Sequence, residues 1–294
     1  MMSERELTAG PSMLPLFARA GAAMIPGASR LPFLGGGGGE VPDEVLTVSD
    51  VQTDRGRLAA YDRVCSFSLS DTVPPTWIHR LAFPLHLALI TSGRFPFPAI
   101  GLVHISNRIV QHRPVGASEP LSLRVWATGL ESHPRGTQFG ICTEARVGSE
   151  LVWEEVSTNL RRGPSSGGAS SAPAAGPASS EGLPATATWR LRGDLGRRYG
   201  AVSGDLNPIH VHPLTARLFG FPSAIAHGMW TKARCLAALG SSLPPSFTVD
   251  VAFRRPILLP ATVSFAEGRE HQEVRFGVRD AERDTPHLDG RLTT

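Results

Sequence analysis

Apolar and polar residues alternate along 45–51, 101–110, 121–129, 138–147 and 151–160, the period-two signature of strands with one buried face. The segment 58–67 reads as a further strand near the start of this series. Residues 75–90 form an apolar stretch of helical length, with Pro84 expected to kink or end it. The order then repeats. Residues 195–202 and 213–219 are short helix candidates, the second opening on Pro213 at the turn that tolerates a missing N–H. A longer helix rich in Ala and Leu is expected over 228–239, and strands over 247–254, 261–267, 274–279 and 288–294. One long helix followed by several antiparallel strands, twice over, predicts an α+β chain made of two copies of one unit, each a sheet wrapped around a helix.

Low-complexity segments set the boundaries between these copies. Gly35 to Gly39 is a run of five glycines with no side chain to bury. It closes an N-terminal arm, 1–39, read as surface-packed or frayed. Residues 163–188 are dominated by Ser, Ala, Gly and Pro, with Glu181 as the only charge, and read as a flexible linker. The chain thus divides into a first domain, 40–162, and a second, 189–294.

With 41% hydrophobic and 19% charged residues among 294, the chain can bury a core. A formal charge of +3 is too even to argue for a nucleic-acid partner. Lys232 is the only lysine, so 28 of the 29 basic residues are arginine, a bias that looks like codon composition first. Cys65, Cys142 and Cys235 stand far apart, without zinc-site or disulfide spacing, so a reducing cytoplasm is expected. The longest apolar run, 81–91, is broken by Pro84 and His86 and is too short to span a bilayer.

Candidate chemistry concentrates in residues 199–216, YGAVSGDLNPIHVHPLTA. Asp205 and His210 stand five apart in a segment that Gly204 and Pro208 restrict to a tight turn entering a helix. A carboxylate and an imidazole converging from one rigid loop can share a proton-transfer task near neutral pH. Taken alone, the same loop also fits a helix N-cap by Asp205 or Asn207, with His210 on the surface. A second segment, Ala226-His227-Gly228-Met229, opens the longer helix, where unpaired backbone N–H groups can stabilise an oxyanion and a glycine lets a carbonyl approach.

Tyr199, Ser203, Gly204, Asp205, Asn207, Pro208, Ile209, His210 and Ala216 together resemble the hydratase-2 pattern of the MaoC-like dehydratases, the (R)-specific enoyl-thioester hydratases of hotdog fold. The first half, 40–162, resembles the degenerate N-terminal hotdog of double-hotdog members, and residues 71–107 within it are similar to the actinobacterial 3-hydroxyacyl-thioester dehydratases of that group. The resemblance implies a double hotdog that adds water to, or removes it from, C2–C3 of an acyl thioester in fatty-acyl metabolism. It implies Asp205 and His210 as the catalytic dyad, with Gly228, Asn207, His227 and Ser203 in substrate binding and no metal or other cofactor. The implied substrate is an acyl-CoA or acyl-carrier-protein thioester, and a monomer or homodimer is expected.

None of Asp43, Asp50, Asp54, Asp62 and Asp71 in the first half is followed five residues on by histidine, so one active site per chain is expected. The histidines of that half, His79, His86, His104, His112 and His133, read as packing or surface residues, and the half itself as architecture and a tunnel for the acyl chain. His210 and His212 form an HxH without a third ligand at metal-site spacing. Arg197, Arg198, Arg217, Arg254 and Arg255 flank the motifs and could meet phosphate. The alternatives are a hydratase for polyketide or branched thioesters and a non-catalytic acyl-thioester-binding hotdog; the intact dyad counts against the latter.

Overall fold

A computed structural model describes residues 2–8, 10–22, 40–99, 101–163, 177 and 179–294. The glycine run 35–39 and most of the 163–188 linker lie outside the described residues. In chain order the elements are β1 (Ser3–Leu7), α1 (Met13–Ala22), β2 (Glu44–Val51), α2 (Arg55–Cys65), α3 (Pro75–Ile90), β3 (Leu102–Gln111) and β4 (Leu121–Ala127). There follow β5 (Glu131–His133), β6 (Gly136–Val147), β7 (Glu150–Arg162), β8 (Ala185–Leu191), α4 (Leu195–Ser203), α5 (Pro208–Val211) and α6 (Pro213–Leu218). The chain closes with α7 (Gly228–Leu239), β9 (Phe247–Phe253), β10 (Ala261–Glu270), β11 (Glu273–Asp280) and β12 (Pro286–Thr293). None of the described helices is long and apolar enough to cross a membrane.

The architecture is the α+β double hotdog, divided into two compact units. In the first, strands run in the order β1-β2-β4-β6-β7, antiparallel except for the parallel pair β1–β2, with β5 added to β6. Here α3 packs on the sheet, His86 reaching Thr143 of β6 at 2.7 Å and His79 reaching Glu155 of β7 at 2.8 Å. In the second unit the order is β3-β9-β12-β11-β10-β8, antiparallel throughout, and α7 packs on it. Along β4 every second residue, Leu121, Leu123, Val125 and Ala127, is buried, the period-two pattern read in the sequence.

The units do not follow the linker. Residues 53–78 and 106–118, carrying α2 and most of β3, belong to the second unit although they precede the linker by many residues.

Two local expectations are corrected, and at Pro84 one of two expected outcomes is excluded. Segment 58–67 is not a strand: Asp54 caps α2 by accepting from the Arg57 N–H at 2.9 Å, and Leu58, Tyr61, Asp62 and Cys65 are buried at helical spacing. Pro84 does not end α3, which continues to Ile90. Burial of Leu81, Ala82, Leu85, Leu87 and Leu89 on both sides of it outweighs the one backbone bond a proline removes. The last part of the expected linker, from Ala185, is β8, paired with β10. The arm is anchored as well: β1 pairs with β2, and Leu16 and Ala20 of α1 are buried.

Candidate active site

The loop carrying Asp205 is built by side chains bonding to its own backbone. Helix α4 stops at Gly204, in the left-handed region at φ 84°. Ser203 Oγ accepts from the Asp205 N–H (3.1 Å), Asp205 Oδ1 from the Asn207 N–H (3.1 Å), and Asn207 Oδ1 from the Ile209 N–H (3.3 Å). Each step spans two residues, so three successive turns are frozen before Pro208 opens α5. Ser203 and Asn207, expected among the substrate-binding residues, direct these bonds into the loop itself. Two glycines of α4 let the loop come close. A Cβ at Gly196 would stand 1.9 Å from the His210 carbonyl oxygen, and one at Gly200 would stand 2.9 Å from that of Asp205. Their (i, i+4) spacing is the signal in the sequence that points to this contact, and it was not read there.

His210 is buried at the end of this loop, with Nδ1 2.8 Å from the Ile225 carbonyl oxygen. A carbonyl only accepts, so Nδ1 carries the proton and Nε2 keeps its lone pair. Burial holds the imidazole below its ordinary pKa, with Asp205 and the Ile225 bond opposing in part. The ring lies 3.7 Å from that of His227 at an interplanar angle of 24°. His227 Nε2 donates to the Asp205 carbonyl oxygen at 3.0 Å and stands 3.8 Å from Asp205 Oδ2. Burial first, then His210, pushes the His227 pKa down to about 3, so this ring is neutral. Its Nδ1 is buried with no hydrogen-bond partner among the described residues. Behind it the Tyr199 ring packs at 4.8 Å.

His227 is also the N-cap of α7, and its side chain makes no capping bond. The first N–H groups of the helix, beginning at Gly228, therefore receive no capping bond from the His227 side chain, at the positive end of the helix dipole. Gly228 is closely approached: a Cβ there would stand 3.0 to 3.2 Å from the Phe253 ring of β9, so the ring would have to give by a few tenths of an ångström. Thus Asp205, His210, His227 and Gly228 converge within the second unit, on elements far apart in sequence only at the step from α5 to α7. Ligand-type atoms of the first three lie within 4.8 Å of one another.

The remaining sequence candidates separate cleanly. His212 does not join His210; it is exposed, and its Nδ1 accepts from the Leu214 N–H at 3.1 Å, capping α6. Arg254 is engaged by Asp289 at 2.7 Å, and Asp289 also accepts from Ser180 N–H (2.9 Å) and Oγ (2.6 Å). Burial raises the Asp289 carboxyl, but those hydrogen bonds outweigh it and hold the group below the usual range. Arg217 and Arg197 donate to the carbonyls of Pro222 and Val211. In the first unit His79 and His86 are core residues, as expected, and both lie against Glu155. Glu155 accepts from His79 with both oxygens at 2.8 and 2.9 Å and lies 4.0 Å from His86.

A MaoC-like domain model matches residues 178–290, which contain the whole of this site. The chain is 36% identical over 281 residues to 3-hydroxyacyl-thioester dehydratase X of Mycobacterium tuberculosis, covering 95% of this chain and 96% of that protein. The crystal structure of HtdX of Mycobacterium tuberculosis superimposes with a TM-score of 0.75 at 34% identity, over 84% of this chain and 98% of that one. A further Mycobacterium tuberculosis structure, described as a double hotdog, matches at a TM-score of 0.53 and 13% identity, over 82% of this chain and 92% of that one, and shows the fold alone. Sequence and fold agree, and the chain belongs to the MaoC-like dehydratases of double-hotdog type.

Proposed function

We propose that Asp205 and His210 are the proton-transferring pair of a 3-hydroxyacyl-thioester dehydratase, a hydro-lyase that also runs as an (R)-specific trans-2-enoyl-thioester hydratase. The observation that carries this reading is the convergence of the Asp205 carboxylate and the neutral His210 ring beside the uncapped N-terminus of α7. A thioester carbonyl bound to the Gly228 N–H gains enolate character as C2 loses its proton, and the helix dipole stabilises that charge. In dehydration a proton leaves C2, the C3–O bond breaks, and a second proton joins the departing hydroxyl to give water. In hydration the same steps reverse, adding water in the syn sense. Asp205 and His210 act here as one coupled pair. His210 can accept a proton because its Nδ1–H is held by Ile225, leaving Nε2 free to react. His227 stays neutral and keeps the His210 ring in place by stacking.

The substrate is an acyl thioester of coenzyme A or of a carrier protein's phosphopantetheine arm. The test is loss of enoyl absorbance with crotonyl-CoA and longer enoyl-CoA substrates. Asp205→Asn and His210→Ala are each expected to lower kcat about 10²–10⁴-fold, the range for removing a general acid or base. Full activity in either variant overturns the assignment. A folded wild type with no turnover at any chain length leaves the acyl-thioester binder in its place.

A further inference from the structure

The only lysine of the chain is fully buried, 0% exposed, in the second turn of α7. Its ammonium donates to the Asn107 carbonyl oxygen (3.1 Å), the Asn107 side-chain Oδ1, and the Val249 carbonyl oxygen (3.2 Å). Three N–H groups thus meet three acceptors on two neighbouring strands, β3 and β9, whose pairing sets Asn107 opposite Val251. An ammonium is the most strongly hydrated cation a side chain offers, so its full removal from water is costly, and such a group is retained where its geometry serves a purpose. Here the purpose is legible in register. On α7, Gly228 and Lys232 are four residues apart; on β9, Phe253 and Val249 are four residues apart. Gly228 meets Phe253, and Lys232 meets Val249. Helix and strand are pinned at two points, one steric and one polar, and the steric point is the proposed oxyanion donor.

We propose that Lys232 is a positioning residue that fixes α7 on β3 and β9 and so holds the Gly228 N–H at the place where the thioester carbonyl develops charge. The inference rests on the dehydratase reading above. Three hydrogen bonds of defined direction add to the apolar packing a polar constraint on where the helix sits along the two strands. A displacement of about 1 Å at a catalytic group costs on the order of 10²-fold in rate.

The experiment compares Lys232→Met with the double variant Lys232→Met/Asn107→Leu in the full-length protein. Lys232→Met leaves buried acceptors without their donor and is expected to lower Tm. Replacing Asn107 as well removes one of the three acceptors left without the ammonium, its side-chain oxygen, and restores part of Tm, while the backbone carbonyls of Asn107 and Val249 remain. At a temperature where each variant is folded by circular dichroism, kcat on enoyl-CoA is expected to stay at least about tenfold below wild type in both, with KM within about twofold. The pH profile of kcat/KM should be unmoved, since the dyad is untouched. Recovery of kcat together with Tm in the double variant overturns the proposal and leaves Lys232 a stability residue only. If KM rises while kcat holds, it is overturned too. Wild-type protein without turnover, or Asp205→Asn with full turnover, overturns the dehydratase reading first and the inference with it.

Discussion

A histidine whose Nδ1–H is committed to a backbone carbonyl has one nitrogen left for chemistry, and burial decides whether that nitrogen is a base. For His210 both conditions hold, and its pKa lies below the ordinary 6.5. The sign follows directly: the reactive form is the neutral one, so it persists on the acid side of pH 6.5. The acid limb of kcat/KM is expected below pH 6.5, and a limb above that value contradicts the burial argument. At the neighbouring position, Gly228→Ala places a methyl 3.0 to 3.2 Å from the Phe253 ring. The ring or the helix has to shift, so kcat should fall by about tenfold or more while the fold persists, as read by steady-state kinetics alongside circular dichroism. The closeness of Asp205 and His210 was legible in the sequence because one loop carries both residues and the loop's geometry is local. The stacking of His227 on His210 was not, since Ile225 and the turn into α7 bring that ring back from outside the loop.

Elements were legible wherever periodicity was clean. The strand patterns of β4, β6 and β7 and the helical stretches of α3 and α7 follow from alternation, length and composition. Helix α2 was misread because Leu58, Tyr61, Val64 and Cys65 satisfy a strand's composition as readily as a helix's, and the cap at Asp54 decided between them. Strand β8 was hidden because ATATWRL continues the small-residue composition of the linker, and it exists through its pairing with β10. Close approach between α4 and the loop carrying Asp205 and His210 gives a prediction at this scale. Gly196→Ala sets a methyl against the His210 carbonyl with no flexible side chain to yield. It should destabilise the protein by about 1–3 kcal/mol, the usual cost of overpacking, and displace His210 enough to lower kcat. Thermal melts and kinetics on one preparation check both, and an unchanged Tm contradicts the contact.

Across the whole molecule, buried titratable groups set the response to acid. His86 and His227 are each held at about 3, both chiefly by burial, against 6.5 when unfolded. Between those values the unfolded chain binds protons that the folded one refuses, so stability falls as pH drops from about 6.5 toward 3. Asp62 opposes this, since burial raises it from 3.8 to about 6 and its cost vanishes in acid. Two histidines with the larger displacement outweigh one aspartate, and Tm is expected to decline steadily below pH 6.5; a Tm that rises from pH 6.5 to 4 contradicts it. A second prediction concerns chain division. A fragment of residues 175–294 lacks α2 and β3, and with them Val64, which accepts from Trp230 at 3.0 Å, and Asn107, which accepts from Lys232. It should show no enoyl-CoA turnover and no cooperative melt, although it contains every residue of the dyad and Gly228. By itself the sequence determined the α+β class, two like units, the family, and the loop that carries Asp205 and His210, because each is written in local periodicity or in a contiguous motif. Only the tertiary structure decided that the second unit is completed by strand and helix from before the linker, that His227 stacks on His210, and that the single lysine lies buried beneath the site. Those facts depend on which distant segments share a sheet and a core, and pairing across more than a hundred residues is set by packing rather than by local pattern.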